Sequence, residues 1–208
     1  MDALFPRERA EIAPGAVHVP GWLSPGRQRE LVTACREWGR GPVPYRHTVL
    51  PGGGVMSVLS LCLGRRWVPY RYLDTVEVEL PGWLSELGRD AVTEAYGDDG
   101  GFAPDTALVN FYDAGAGAKM GLHQDKEERS GEPVVSLSLG DRCVFRFGNT
   151  ETRGKPYTDV ELASGDLFVF GGPSRFAYHG VPKVLPGAAD PALGLTGRLN
   201  ITLRETGL

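Results

Sequence analysis

Along Arg198-Leu-Asn-Ile-Thr-Leu-Arg204 polar and apolar residues alternate without a break, polar at even numbers and apolar at odd. A period of two marks a strand whose faces meet different surroundings, because successive side chains point to opposite sides. Other short runs rich in β-branched and aromatic residues, bounded by Gly, Pro and Asp, predict strands at 56–62, 107–112, 134–139, 143–147, 157–162, 166–170 and 176–179. Residues 182–191, with their Pro, Gly and Ala, read as a loop. Two stretches carry a helical period instead. Ser24-Pro25 offers an N-cap and a first-turn proline, and Leu31, Cys35 and Trp38 follow at helical spacing. Residues 83–96 put Leu84, Leu87, Ala91 and Tyr96 near one stripe, with Gly97 as the stop. Many short strands without βαβ alternation predict a mainly β fold with supporting helices, a sandwich or jelly roll carrying both helices on one side of a sheet.

Composition narrows the class. At 208 residues and 41% hydrophobic positions, the chain has the length and apolar content of one domain with a substantial core. A net charge of -4 argues against a broad surface that coats nucleic acid, while leaving room for a local basic groove. No apolar run approaches the roughly 20 residues of a membrane span. The start, MDALFPRERA, lacks the basic and apolar segments of a signal peptide. Cys35, Cys62 and Cys143 are odd in number, far apart and never paired as C-x-x-C, which suits free thiols in a reducing compartment. A cytoplasmic protein without membrane association is expected.

His123-Gln-Asp125 sets two metal-ligand types two residues apart. On an extended segment both side chains reach the same face and so the same ion. His179 would arrive from a different strand. Two imidazoles and one carboxylate on one side of an octahedral metal leave three positions open, the arrangement of non-haem Fe(II) oxygenases. Alone, an H-x-D is also what a hydrogen-bonded surface pair looks like. His18 and His47 have no such partners and read as surface or satisfied polar residues. The C-terminal strand changes the balance. Arg198 and Arg204 share one face, roughly 20 Å apart along an extended chain, and each guanidinium reaches inward by about 6 Å. The remaining gap is close to a short dicarboxylate, which arginine recognises through planar, charge-assisted hydrogen bonds.

With these residues in place the chain resembles the AlkB-like alkylation-damage dioxygenases. The similar stretches are Met56-Ser-Val58, Asn110-Phe-Tyr112, Leu122-His-Gln-Asp-Lys-Glu-Glu128 and Pro133-Val-Val-Ser-Leu-Ser-Leu-Gly140. Phe145-Arg-Phe-Gly148, Ser164-Gly-Asp166, Gly171-Gly-Pro-Ser-Arg-Phe-Ala-Tyr-His-Gly180 and the C-terminal strand continue the series in the family's order, over roughly residues 50–208. The resemblance implies a double-stranded β-helix (jelly roll). It implies Fe(II) held by His123, Asp125 and His179, and 2-oxoglutarate held by Asn110, Phe111, Tyr112, Arg198, Asn200 and Arg204, with O₂ as the other co-substrate. It also implies one domain over 1–208: an N-terminal extension with a helix over 1–50, a nucleotide-recognition lid with a supporting helix over about 50–105, and a catalytic core over about 106–208. The implied reaction oxidises the N-methyl group of a base of the 1-methyladenine or 3-methylcytosine type, releasing formaldehyde, succinate and CO₂.

On the substrate side, Trp67, Tyr70, Arg71 and Tyr72 set aromatic rings beside arginines, preceded by Arg65-Arg66, the physics of stacking an extruded base with cations near phosphate. Glu127 resembles the family's acidic reader of the exocyclic amine, and Arg153 is a further candidate for substrate contact. Two positions depart from the family pattern, Glu127 by being one methylene longer than the expected Asp and Phe170 by standing where a Trp often lines the pocket. The Asn110–His123 loop also looks long by about two residues, and the Trp67–Tyr70 loop looks short. The expected partner is alkylated DNA or RNA, met by a monomer. An alternative keeps the same core but hydroxylates a protein side chain or a small molecule. A jelly-roll binding module without activity is disfavoured by the intact ligand set.

Overall fold

The alternating C-terminal strand lies at the centre of the fold, with both faces buried. The computed structural model describes residues 7–208; residues 1–6, part of the stretch read for a leader and of the N-terminal extension, lie outside it. In chain order the elements are β1 (Ala10–Ala13), β2 (Ala16–Val19), α1 (Pro25–Arg40), β3 (Arg46–Val49), β4 (Val55–Val68), β5 (Arg71–Val76) and α2 (Gly82–Tyr96). The core follows with β6 (Thr106–Tyr112), β7 (Met120–His123), β8 (Val134–Gly140), β9 (Arg142–Phe147), β10 (Thr158–Leu162), β11 (Leu167–Phe170), β12 (His179–Leu185) and β13 (Arg198–Arg204). The major antiparallel sheet runs β1-β2-β11-β8-β13-β6-β4-β3, with β5 paired to β4, and the minor sheet runs β10-β9-β12-β7. These are the two walls of a jelly roll.

The period-two pattern sorts the side chains of β13 between two cores. Leu199, Ile201 and Leu203 join Val109, Leu137 and Val169 on one face of the major sheet, where α1 and α2 add Leu31, Cys35, Leu84 and Ala91. The even-numbered residues face the minor sheet, next to a second cluster built from Phe145, Phe147, Phe168 and Phe170. Arg198, Asn200, Thr202 and Arg204 are thus polar yet buried, so the strand is a central wall rather than a solvated edge. Buried polar groups on this scale need partners, which places the chemistry between the sheets.

Both helices lie where the pattern puts them. Ser24 Oγ accepts from the Arg27 N–H at 3.2 Å, and Gly97 ends α2 in the left-handed region at φ 87. Tyr96 leaves the expected stripe: it is exposed, and its hydroxyl donates to the Gly15 carbonyl. The strand expected at 176–179 is absent, because the chain makes a 3₁₀ turn at Gly172–Ser174 and becomes extended only at His179. β12 then runs to Leu185 through Pro182, inside the stretch read as a loop. Pro182 is tolerated where the pairing with β9 is irregular, between Gly180 and Lys183. β4 runs well past Cys62, to Val68, bending at Gly64. There φ is 72 and a Cβ would lie 2.0 Å from the Asp105 carbonyl oxygen, so only glycine fits.

His18 proves to be a satisfied buried residue. Its Nε2 lies 2.9 Å from Asp166 Oδ2, and the same carboxylate accepts from Arg7 and from the N–H groups of Gly21 and Ala163. Burial alone would raise the Asp166 pKa, but these donors outweigh it and hold the carboxyl below its ordinary value. A depressed folded pKa contributes stability that is present above about pH 3.9, the unfolded aspartate value, and lost as pH falls through the folded value. Asp166→Asn is therefore expected to lower the melting temperature near neutral pH by an amount equivalent to about 1–3 kcal/mol. Melting curves of the two proteins taken from pH 7 to pH 3 should converge at the acid end.

Candidate active site

His123 ends β7, His179 opens β12, and the two are directly paired across the minor sheet. Their rings are 4.5 Å apart. That closeness depends on Gly180, where a Cβ would lie 2.8 Å from the Met120 and Gly121 carbonyl oxygens. Asp125 sits just beyond the strand rather than on it, yet its Oδ1 is 3.7 Å from His123 Nε2 and its Oδ2 is 3.6 Å from His179 Nε2. All three ligand atoms lie within 4.8 Å of one another.

The tautomers follow from the hydrogen bonds. His123 Nδ1 donates to the Gly121 carbonyl at 2.9 Å and His179 Nδ1 to the Ala177 carbonyl at 3.0 Å, which leaves both Nε2 lone pairs free. Burial and the neighbouring His123 push the His179 pKa down to about 4, so it is neutral near pH 7. Burial would raise the Asp125 carboxyl, but Arg204, both histidines and Arg175 hold it well below the carboxylate range. Two imidazole nitrogens and one carboxylate converge here, a donor set that fits Fe(II) with positions left for exogenous ligands.

The polar face of β13 supplies the rest of the pocket. Arg198, 1% exposed, donates from Nη2 to Ser138 Oγ and stands 5.1 Å from the Tyr112 ring. Its Nε and Nη1 have no hydrogen-bond acceptor among the described residues. Donors of this kind, buried and aimed into a pocket, fit the carboxylates of 2-oxoglutarate. Burial pushes the Tyr112 phenol up to about 12, so it keeps its proton as a donor. Asn200 donates to Ser136 Oγ and the Leu137 carbonyl, while Asn110 accepts from Ser60. Arg204 Nη2 lies 2.7 Å from Asp125 Oδ2, so the two arginines are not equivalent: one faces the metal ligands and the other does not. Phe111 does not belong to this group. It is odd-numbered on β6, points to the opposite face and packs near Tyr45 in the helix-side core.

This combination recurs in known proteins. The model of the 2OG-Fe(II) oxygenase superfamily matches residues 15–204. The chain belongs to that superfamily. An α-ketoglutarate-dependent dioxygenase AlkB homolog of Caulobacter vibrioides is 38% identical, the match covering 93% of this chain and 89% of the relative. The Arabidopsis thaliana DNA N(6)-methyladenine demethylase ALKBH1D is 34% identical over 93% of this chain, which spans 50% of that relative's length. The solved structure of OsALKBH1 superposes with a TM-score of 0.85 at 32% identity, covering 95% of this chain and 100% of that one. Fe(II), with 2-oxoglutarate and O₂ as co-substrates, is accordingly the cofactor set of this oxygenase.

The oxygenase carries a β-hairpin in which β4 turns into β5 through the two residues Pro69 and Tyr70. Tyr70 is exposed at the turn with φ 66, and Trp67 is half-buried opposite Tyr72. Tyr72 is not a surface ring: its hydroxyl donates to Glu128 Oε1 and accepts from Arg204 Nη1, both at 3.0 Å. Arg71 is exposed, whereas Arg65 is paired with Asp74 and Arg66 with Glu77, which blunts the basic character expected there. Arg153 Nε donates to the Leu122 carbonyl at 2.7 Å, one residue from His123. Glu127 lies beyond the strand, so it does not share a face with Asp125 by alternation. It is half-buried, and burial, Asp125 and Glu128 raise its carboxyl pKa. Phe170 lines the pocket with its ring 4.9 Å from that of His179.

Two buried charges were not singled out in the sequence. Arg175 donates from Nε to the Glu132 carbonyl, from Nη1 to the Asp125 carbonyl and from Nη2 to Glu128 Oε2. Glu128 in turn faces Arg204 and Tyr72. Arg175 thereby holds the irregular segment that carries Asp125 and Glu127. An arginine four residues before His179, in an otherwise apolar run, was the available signal.

Proposed function

We propose that the chain oxidatively demethylates N-alkylated nucleobases of the 1-methyladenine or 3-methylcytosine type in DNA or RNA, releasing formaldehyde, succinate and CO₂ and serving alkylation repair. The observation that carries this reading is the convergence of His123, Asp125 and His179 in one pocket with Arg198, whose Nε and Nη1 have no acceptor among the described residues. Relatives bearing the names AlkB and DNA N(6)-methyladenine demethylase support the substrate class. In this reading His123, Asp125 and His179 hold the iron. Arg198, Tyr112, Asn110, Asn200 and Arg204 hold 2-oxoglutarate. Trp67, Tyr70, Arg71, Glu127 and Arg153 meet the substrate, and Tyr72 acts from beneath them through Glu128 and Arg204. When bound, iron would activate O₂, the oxidant, with 2-oxoglutarate as the co-substrate that is oxidised alongside the base; the protein orients the methyl carbon and shields the site from water. We further propose a single domain acting as a monomer in the cytoplasm. Its three free thiols suit a reducing compartment, and no helix among the described residues is long and apolar enough to cross a membrane.

Formaldehyde release from a panel of methylated oligonucleotides, with Fe(II) and 2-oxoglutarate, tests the reading directly. Absence of release on every strand, with succinate still forming from 2-oxoglutarate, would replace a nucleic acid with a protein or small-molecule substrate. Trp67→Ala is expected to raise the apparent KM for a methylated oligonucleotide, because losing a base-stacking ring costs about 1–3 kcal/mol. It should spare the slow conversion of 2-oxoglutarate without substrate. Glu127→Gln should depress demethylation without weakening binding of unmethylated strands.

A further inference from the structure

β4 changes partners part-way along. As far as Gly64 it pairs with β6, and from Arg65 it pairs with β5, with a register shift between Arg65 and Arg66. A strand that bends in this way takes backbone groups out of the ladder, and the buried ones need other partners. The N–H groups of Gly64 and Arg65 donate to the carbonyls of Val78 and Asp105, at 2.7 and 3.0 Å. Those bonds run between backbones, so many sequences could make them. The carbonyls of Leu63 and Arg65 and the N–H of Trp67 are met by side chains instead.

Thr106 Oγ1 lies 3.1 Å from the Leu63 carbonyl oxygen and 2.9 Å from that of Arg65. Cys62 Sγ lies 3.2 Å from the Arg65 oxygen and accepts from the Trp67 N–H at 3.4 Å. A hydroxyl and a thiol bring one proton each, enough for both carbonyls. Burial raises the Cys62 pKa, so the sulfur keeps its proton and can donate while it accepts. Other ties to this hairpin are of a different kind. The Arg65–Asp74 and Arg66–Glu77 ion pairs lie at the surface, where salt screens them. Tyr72 anchors the returning strand, β5, through Glu128 and Arg204. The outgoing strand, which carries Trp67, depends on Cys62 and Thr106.

We propose that Cys62 and Thr106 are positioning residues, which together fix the angle at which β4 leaves the sheet and with it the place of Trp67. The proposal rests on the reading that Trp67 meets a nucleobase. A misplacement of about 1 Å caused by a distant side chain can cost about a hundredfold in rate. The ceiling for this hinge is the loss seen when the Trp67 ring itself is removed.

The test uses Thr106→Val, which keeps the shape of threonine without its hydroxyl, and Cys62→Ala; Thr106→Ser and Cys62→Ser keep a hydrogen-bonding atom. Losing a stacked ring costs about five- to more than a hundredfold, so Thr106→Val should raise the apparent KM for a methylated oligonucleotide about fivefold or more, with kcat within about twofold. Cys62→Ala, which loses weaker bonds, should raise it about threefold. The serine variants should recover most of each loss. Without iron, the dissociation constant for the same oligonucleotide should rise by the same factors as KM. The 2-oxoglutarate dependence of succinate formation without nucleic acid should not move. That readout separates the hinge from Arg204, whose backbone pairs with Thr106. A weakened 2-oxoglutarate dependence means the change acts through the arginine, and overturns the proposal. The decisive comparison is made in a Trp67→Ala background, where Thr106→Val and Cys62→Ala should add nothing, since residues acting through one ring are not additive. Full additivity there, an unchanged KM in both single variants, or no recovery with serine overturns the hinge and leaves Trp67 in its role. Should Thr106→Val fail to fold, Cys62→Ala and Cys62→Ser decide by the same outcomes. Wild-type binding and demethylation by Trp67→Ala itself would end the substrate reading of the hairpin, and the proposal with it.

Discussion

Alanine in place of His123, Asp125 or His179 is expected to reduce succinate formation to background, with or without a methylated substrate. Each side chain is one of three donors, and no other His, Cys, Asp or Glu group among the described residues forms such a cluster. The three variants should nevertheless differ in stability. Asp125 is buried against Arg204 at 2.7 Å, so removing its carboxylate leaves that guanidinium with Glu128 and Tyr72 alone and should cost about 1.5–3 kcal/mol. His123 is partly exposed and makes no ion pair of that kind, so its alanine variant should melt close to wild type. Melting curves and metal titrations on the three proteins check both halves. Turnover resembling wild type in any of them removes that residue from the metal site.

Arg198→Ala is expected to weaken 2-oxoglutarate use by about ten- to more than a hundredfold, the loss of a charge-assisted hydrogen bond worth about 1.5–3 kcal/mol. Iron affinity should barely move, because Arg198 does not touch the metal residues; its one side-chain hydrogen bond among the described residues is to Ser138. Arg204→Ala should also lower 2-oxoglutarate affinity but will disturb Asp125, Glu128 and Tyr72 at once, so Arg198 is the cleaner probe. Lysine at 198 should rescue only in part, since it keeps the charge and loses the planar fork. The measurement is the concentration dependence of succinate formation on 2-oxoglutarate. An unchanged dependence in Arg198→Ala would remove it from the co-substrate site.

The legible parts of this protein were those governed by one local rule. β13 declares itself at single-residue resolution, because alternation is all that a strand between two different cores requires. The same rule, applied to β6, separates Asn110 and Tyr112 from Phe111, an alternation that the motif match overrode. What remained hidden depends on pairing at a distance. β1 and β2 are four residues each and exist because β11 offers them an edge. The start of β12 could not be read from composition, since the 3₁₀ turn before it is held by Arg175 reaching Glu132 and Asp125. Tyr72 looked like its exposed neighbour Tyr70, and only the hairpin register turns one inward and the other out.

Arg175 also bears on the order in which the protein assembles. The segment from Asp125 to Glu132 has no strand or helix of its own, and its carbonyl and carboxylate groups are gathered by a guanidinium from more than forty residues later. That guanidinium lies four residues before His179. A nascent chain that has emerged only as far as Glu132 holds His123 and Asp125 without the anchor that orients them. The anchor and the third ligand then arrive together, on the same turn of chain. Fe(II) added to a chain that ends at Glu132 is therefore expected to find no ordered half-site, a result that a metal titration of that fragment checks.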